Sequence, residues 1–149
     1  MLARRHLLGV VALGHLLVAA TALAAEPEPK LPPIKAVPDP KPSAAVFKAA
    51  RWKKPLVIES AEAAAEYYGE KALAELKTKV DFERQTLLIF AWAGSGRDRL
   101  TYAVAESYPE QIFFTLRRGR TRDLRRHLHV FALRSNVTWR VKGPGKGPR

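Results

Sequence analysis

The sequence VDFERQTLLIFAWAGSG, from Val80 to Gly96, predicts the central strand of the fold. Its middle, from Leu87 to Trp92, is the longest unbroken apolar run after the N-terminal segment. A transmembrane helix needs about 20 apolar residues, so this run is too short to cross a bilayer. An apolar run of this length that ends in Gly94-Ser95-Gly96 is typical of a strand with both faces covered.

Alternating apolar and polar residues predict four further strands downstream, at 99–107, 111–116, 125–134 and 137–141. Upstream, Pro55–Glu59 predicts a short strand, and apolar residues spaced three and four apart over 61–79 predict a helix with Ser60 as its N-cap. Gly69 lies inside this helical pattern, which predicts either a break into two short helices or close packing there. We therefore expect an α+β fold, an antiparallel sheet of about five strands with one or two helices packed on one face.

The first residues have the pattern of a secretory signal peptide. A basic head precedes an apolar run at 7–20, and small residues at 22 and 24 predict cleavage after Ala24. We therefore expect a secreted or periplasmic protein; if the segment stayed uncleaved, it would be the protein's contact with the membrane. We expect the remaining chain to divide into a proline-rich linker (25–50), an α+β domain (51–142) and a disordered tail (143–149).

Composition limits the chemistry and suggests the partner. The chain has no cysteine, which excludes disulfides, cysteine nucleophiles and thiolate metal sites. Residues 25–83 balance ten Lys/Arg against ten Asp/Glu, whereas residues 84–149 carry fourteen against four. A basic second half predicts an acidic protein or an anionic envelope polymer as partner, and export argues against a routine nucleic-acid role. The alternative is a basic bias that serves only solubility.

A run of arginines is the most specific local feature. Six of them lie within ten residues: Arg117, Arg118, Arg120, Arg122, Arg125 and Arg126. The planar guanidinium fork suits carboxylate or phosphate groups, so this segment is the candidate partner-binding site. The alternative is a solvated hairpin tip.

Two histidines offer a second candidate site. His127 and His129 are two residues apart on a predicted strand, so their side chains share a face, as in strands that supply two imidazoles to zinc or copper. A third ligand would come from Glu106, Asp98 or Asp123; the alternative is a solvent-facing strand surface without any cofactor. Ser95 does not match the nucleophile elbow and is interpreted as a turn residue.

The chain from Leu56 to Val141 resembles the C-terminal domain of PrcB-type protease-complex subunits. The resemblance is carried by VDFERQTLLIFAWAG, an aspartate-phenylalanine pair before an apolar strand that ends in glycine. It implies a domain without catalytic residues that supports an extracellular protease complex. The sequence therefore predicts an exported non-catalytic accessory module, not an enzyme; the alternative is a small metal-binding protein or metalloenzyme that uses the His-x-His strand.

Overall fold

The computed structural model describes residues 30–38 and 40–143. Within these ranges the chain forms, in order, β1 (Ile34–Ala36), α1 (Val46–Ala49), β2 (Leu56–Ile58), α2 (Ala61–Ala65), α3 (Glu70–Lys79), β3 (Gln85–Ser95), β4 (Arg99–Ala105), β5 (Gln111–Arg117), β6 (Leu124–Arg134) and β7 (Thr138–Lys142). The predicted α+β class is confirmed. The predicted signal peptide and the tail beyond Gly143 lie outside the described residues. No helix in the two described ranges has the length and apolar character that a membrane crossing requires.

The strands form two sheets instead of the single sheet expected. The first sheet is antiparallel with the order β1-β6-β3-β2, and the second has the order β4-β5-β7. In the second sheet β4 and β5 are antiparallel, whereas β5 and β7 run parallel. Strand β7 pairs with β5 and not with β6, which precedes it in the sequence. In this position Trp139 and Val141 pack against the first sheet together with the apolar side chains of β5. Arg134 at the end of β6 donates to Glu110 before β5 at 2.6 Å and joins the two sheets.

Strand β3 lies at the centre of three layers. Leu87, Ile89 and Ala91 face the helices, and Leu88, Phe90 and Trp92 face the second sheet. All six side chains are buried. The predicted strand with both faces covered is therefore confirmed, and it explains why its apolar run does not alternate with polar residues.

The helices cover the outer face of the first sheet. Ser60 caps α2 by accepting a hydrogen bond from the Ala63 amide at 3.1 Å, as predicted. Of the two alternatives predicted at Gly69, the break into two short helices is confirmed, because Gly69 is the N-cap of α3. Close packing is not found there, since a Cβ at Gly69 would meet no atom within 4 Å. Tyr68 and Leu76 then pack into the core beneath the helices.

The folded unit begins earlier than predicted. Residues 25–50 were expected to form a linker, yet β1 pairs with β6 through Ile34 and Ala36, and Val46 in α1 is fully buried. The linker prediction is therefore wrong from Ile34 onward, because isolated apolar residues among the prolines find core positions. Residues 25–29 lie outside the described part of the chain.

Candidate partner-binding surface

The predicted arginine segment is held against the turn that follows the central strand. Residues 117–126, here called the arginine loop, comprise the end of β5, its connection to β6 and the first residues of β6. Residues 94–99, here called the turn, comprise the end of β3, its connection to β4 and the first residue of β4. Asp98 joins the two segments and is buried, with 6% of its surface exposed. One of its carboxylate oxygens accepts from the Trp92 indole at 3.0 Å, and the other accepts from the Gly119 amide at 2.8 Å. The buried carboxylate therefore anchors the loop to the core.

Ser95 and Thr121 form a second connection between the same segments. Their side-chain hydroxyls lie 2.6 Å apart, and the Thr121 amide donates to the Ser95 hydroxyl at 3.1 Å. Ser95 lies at the end of β3 and its hydroxyl also accepts from the Arg97 amide at 3.4 Å. These bonds give Ser95 a structural role at the turn, where the sequence placed it.

Asp123 forms a third connection. Its carboxylate accepts from the Gly96 amide at 3.2 Å and from Arg125 at 2.7 Å. Hydrogen bonds from the Thr121 side chain and the Gly96 amide lower the pKa of Asp123 from 3.8 to about 2, with a smaller contribution from Arg125. The carboxylate is therefore ionised at all but strongly acidic pH and keeps the loop tied to the turn.

Glycine is required where these segments approach each other. A Cβ at Gly94 or Gly96 would overlap the carboxylates of Asp98 and Asp123, respectively. A Cβ at Gly119 would lie 2.5 Å from the Ser95 hydroxyl oxygen and 2.6 Å from the Arg97 carbonyl carbon. The arginine loop and the turn thus leave no room for a side chain at these three positions.

Two further arginines, Arg97 and Arg99, lie beside the arginine loop and were not predicted from the sequence. Arg97 and Arg99 lie on the turn and the start of β4, and Arg99 pairs with Arg117 across β4 and β5. We call these two and the six predicted arginines the arginine surface; all eight are exposed. The loop and the turn together contain eight arginines and two aspartates, a formal charge of +6. A hairpin formed by 99–105 and 111–117 places its two ends side by side. The sequence therefore contained the information that Arg99 lies beside Arg117.

The arginines occupy one end of the molecule but not a single face. The Arg118 guanidinium lies 5.8 Å from the centre of the Trp52 ring, on the side of the second sheet. The Arg126 guanidinium lies 5.1 Å from the centre of the Phe47 ring, on the helical side. Among the residues that the structure describes, Arg125 is the one arginine of the eight with an ion pair, to Asp123. Both partners are largely exposed, so this pair adds little stability.

The two histidines share a face of β6, as predicted, and this face lies toward the second sheet. Their rings stack on Trp92, with centroid distances of 4.8 Å for His127 and 5.4 Å for His129. The His127 Nε2 atom lies 2.8 Å from the Ser95 carbonyl oxygen, so this nitrogen donates a hydrogen bond. Burial lowers the pKa of His129, and the charge of His127 lowers it further.

The described residues do not complete the metal site that the histidines suggested. Two of the proposed third ligands, Asp98 and Asp123, use their carboxylates to hold the arginine loop. In residues 30–38 and 40–143 no group of three or more His, Asp and Glu side chains is placed to bind a metal ion. The rings of His127 and His129 instead form one wall of an open cleft of about 430 Å³, whose other wall contains Arg97, Arg99 and Leu100 of the β3–β4 connection and β4.

Comparison of the chain with protein-family models, curated proteins and solved structures finds no match. The resemblance to PrcB-type domains therefore stays a prediction from the quoted residues.

Proposed function

We propose that this protein is an exported, non-catalytic accessory module that binds an acidic partner protein through the arginine surface. The observation that carries the proposal is the way the arginine loop is fixed. Asp98, Ser95 and Asp123 hold the loop through backbone amides and hydroxyls, and the fixing consumes one guanidinium group, that of Arg125. A solvated hairpin tip needs no such anchor.

A fixed surface of this kind suits the recognition of carboxylates. Because the loop backbone is already ordered, the loop would lose less conformational entropy when a partner binds than a flexible loop would. Each guanidinium offers a planar fork that pairs with a carboxylate through two hydrogen bonds. Complementary charge also accelerates association, and it makes the association rate sensitive to salt.

The resemblance to PrcB-type domains favours an envelope or extracellular protease complex as the first partner to examine. The N-terminal signal peptide predicted from the sequence supports the same compartment. An anionic envelope polymer is the alternative partner, and it differs from a protein by binding without a saturable stoichiometry. The test must separate these two cases.

The test compares two charge-reversal variants with the wild type. Arg118→Glu with Arg120→Glu alters the arginine loop, whereas Lys71→Glu with Lys77→Glu makes the same change of net charge on the exposed surface of α3. Proteins captured from an envelope or culture fraction are identified, and the leading candidate is purified and titrated at low and physiological salt.

We expect saturable, salt-sensitive binding to one acidic protein, lost in the loop variant and retained in the α3 variant. Equal loss in both variants would assign the binding to net charge alone. Unsaturable binding to anionic polymers such as polyglutamate would contradict the accessory-module proposal in favour of a general envelope-binding protein.

A further inference from the structure

Strand β6 is longer than the strand that covers its outer edge. It pairs along its whole length with β3, but β1 pairs only with residues 131–133. One further bond, from the Val37 amide to the Val130 carbonyl at 2.9 Å, ends this contact. Pro38 and Pro40 follow directly, and proline cannot continue a ladder. In the described chain, residues 124–129 therefore have no strand on this side.

The hydrogen bonds between the β1 segment and β6 determine which backbone groups of β6 are left open. Residues opposite each other in an antiparallel pair alternate between exchanging hydrogen bonds and pointing away. The Val130 carbonyl and the Arg134 amide bond toward the β1 side, to Val37 and Pro33 respectively. By the same alternation, the amide and carbonyl groups of Leu124, Arg126 and Leu128 point to the open edge.

The side chains around this edge are basic and partly apolar. Arg125 and His127 lie on the same face of β6, the face toward the cleft of about 430 Å³. Arg97 and Arg99 form the opposite wall of this cleft. Leu124, the first residue of β6, is 79% exposed. An open edge normally carries charge or proline to prevent pairing with other chains. Within residues 124–128 both charged side chains, Arg125 and Arg126, are positive, which repels a second copy of β6 but attracts an acidic chain.

We propose that β6 accepts an extended acidic segment of the partner as an additional strand along residues 124–128. The inference rests on the proposed function and specifies how the partner binds. Backbone hydrogen bonds to Leu124, Arg126 and Leu128 would supply affinity. Alternate acidic side chains would enter the cleft that Arg97 and Arg99 line opposite His127 and His129. A homodimer through this edge is disfavoured because antiparallel self-pairing of residues 124–128 would bring the arginines of the two copies close together.

The probe is a synthetic peptide of about ten residues in which glutamate and threonine alternate, long enough to form one strand. Two further versions carry N-methyl groups on every second residue, one on the glutamates and one on the threonines, which removes backbone donors and keeps the charge. A lysine-threonine peptide serves as the charge control. Binding is followed by calorimetry and by hydrogen exchange of the β6 amides. The protein variants are Leu124→Pro, which removes one outward amide at the start of the strand, and Leu124→Ala, which keeps it.

We expect the glutamate-threonine peptide to bind and to protect the amides of Leu124, Arg126 and Leu128 from exchange. At least one N-methylated version, and the Leu124→Pro variant, should bind about tenfold more weakly, since one or two hydrogen bonds are lost. The Leu124→Ala variant should bind within about twofold of the wild type, because its amide is retained. If Leu124→Pro fails to fold, the N-methylated peptides still decide the question on the wild type.

The outcomes separate this inference from the proposed function. If all acidic peptides bind equally well and the three amides stay unprotected, strand addition is overturned while charge recognition stands. If no acidic peptide binds and the Arg118→Glu with Arg120→Glu variant keeps its protein partner, the proposed function fails as well.

Discussion

Replacing Gly119 with alanine should destabilise the protein, although the same change often stabilises a loop. Alanine restricts the unfolded chain and usually adds about 0.4–1 kcal/mol to the free energy of unfolding where the backbone tolerates it. The backbone here needs no positive φ, since no glycine of the described chain has one. The new Cβ, however, would lie 2.5 Å from the Ser95 hydroxyl oxygen and 2.6 Å from the Arg97 carbonyl carbon.

The magnitude follows from these contacts. Ordinary contacts at a Cβ are about 3.4–4 Å, so either the arginine loop or the turn must move by roughly 1 Å. The movement lengthens the 2.8 Å bond from the Gly119 amide to the buried carboxylate of Asp98. Overpacking costs about 1–3 kcal/mol, and a hydrogen bond to a charged group contributes about 1.5–3 kcal/mol. Allowing for partial relaxation and for the unfolded-state gain, we expect a net loss of about 2–3 kcal/mol.

Urea unfolding of both proteins, followed by tryptophan fluorescence, measures this loss directly. Gly143→Ala is the matched control, because a Cβ at Gly143 would meet nothing within 4 Å. This change should leave the unfolding midpoint unchanged or raise it slightly. A Gly119→Ala protein as stable as the wild type, or more stable, would refute the reasoning. It would mean that the arginine loop is not packed on the turn.

Three further outcomes test other parts of the structure. Ser60→Ala should lower the free energy of unfolding by about 1 kcal/mol in urea, because the cap of α2 is lost. The pKa of Asp123 is lower in the folded protein than in the unfolded chain, so its contribution is present above about pH 4 and is lost as the pH falls toward 2. The stability difference between wild type and Asp123→Asn should shrink over that window, and a constant difference would contradict the assignment. The pKa of His129 is lowered from 6.5, so its contribution is present above pH 6.5 and is lost as the pH falls through the folded-state pKa. His129→Phe should therefore lose less stability than the wild type between pH 8 and about pH 5, as measured by urea midpoints.

The elements that could be predicted are those whose signal lies within a few neighbouring residues. The apolar run at 87–92 was long enough to indicate a buried strand, and Ser60 before an alanine-rich stretch indicated a helix start. Strand β1 was not predicted because it has only three residues in a proline-rich segment. Its position depends on pairing with β6, about a hundred residues away. The parallel pairing of β5 with β7 was not predicted for the same reason, since alternation shows that a strand has an apolar face but not which strand lies beside it.

The candidate surface was predictable in composition but not in construction. The six arginines of 117–126 are visible in the sequence, and the hairpin that adds Arg99 could have been derived from strand lengths. The anchor could not, because Asp98 and Gly119 are 21 residues apart and nothing in either residue type specifies the pair. The sequence suggests Asp98 as a candidate metal ligand. In the structure both of its carboxylate oxygens accept hydrogen bonds, which compete with that role.

The anchor supports the proposal that the arginine surface binds a partner and does not serve solubility alone. Concentrating positive charge at one end destabilises the folded state through repulsion, and the simplest relief is to pair arginines with carboxylates. The chain places two carboxylates among the eight arginines, yet Asp98 bonds to an indole and a backbone amide, and only Asp123 meets a guanidinium. The repulsion is therefore opposed by hydrogen bonds that fix the backbone and leave the other guanidinium groups exposed. Solubility requires only net charge, whereas exposed charge on a fixed backbone would lower the entropy cost of the proposed binding to an acidic partner.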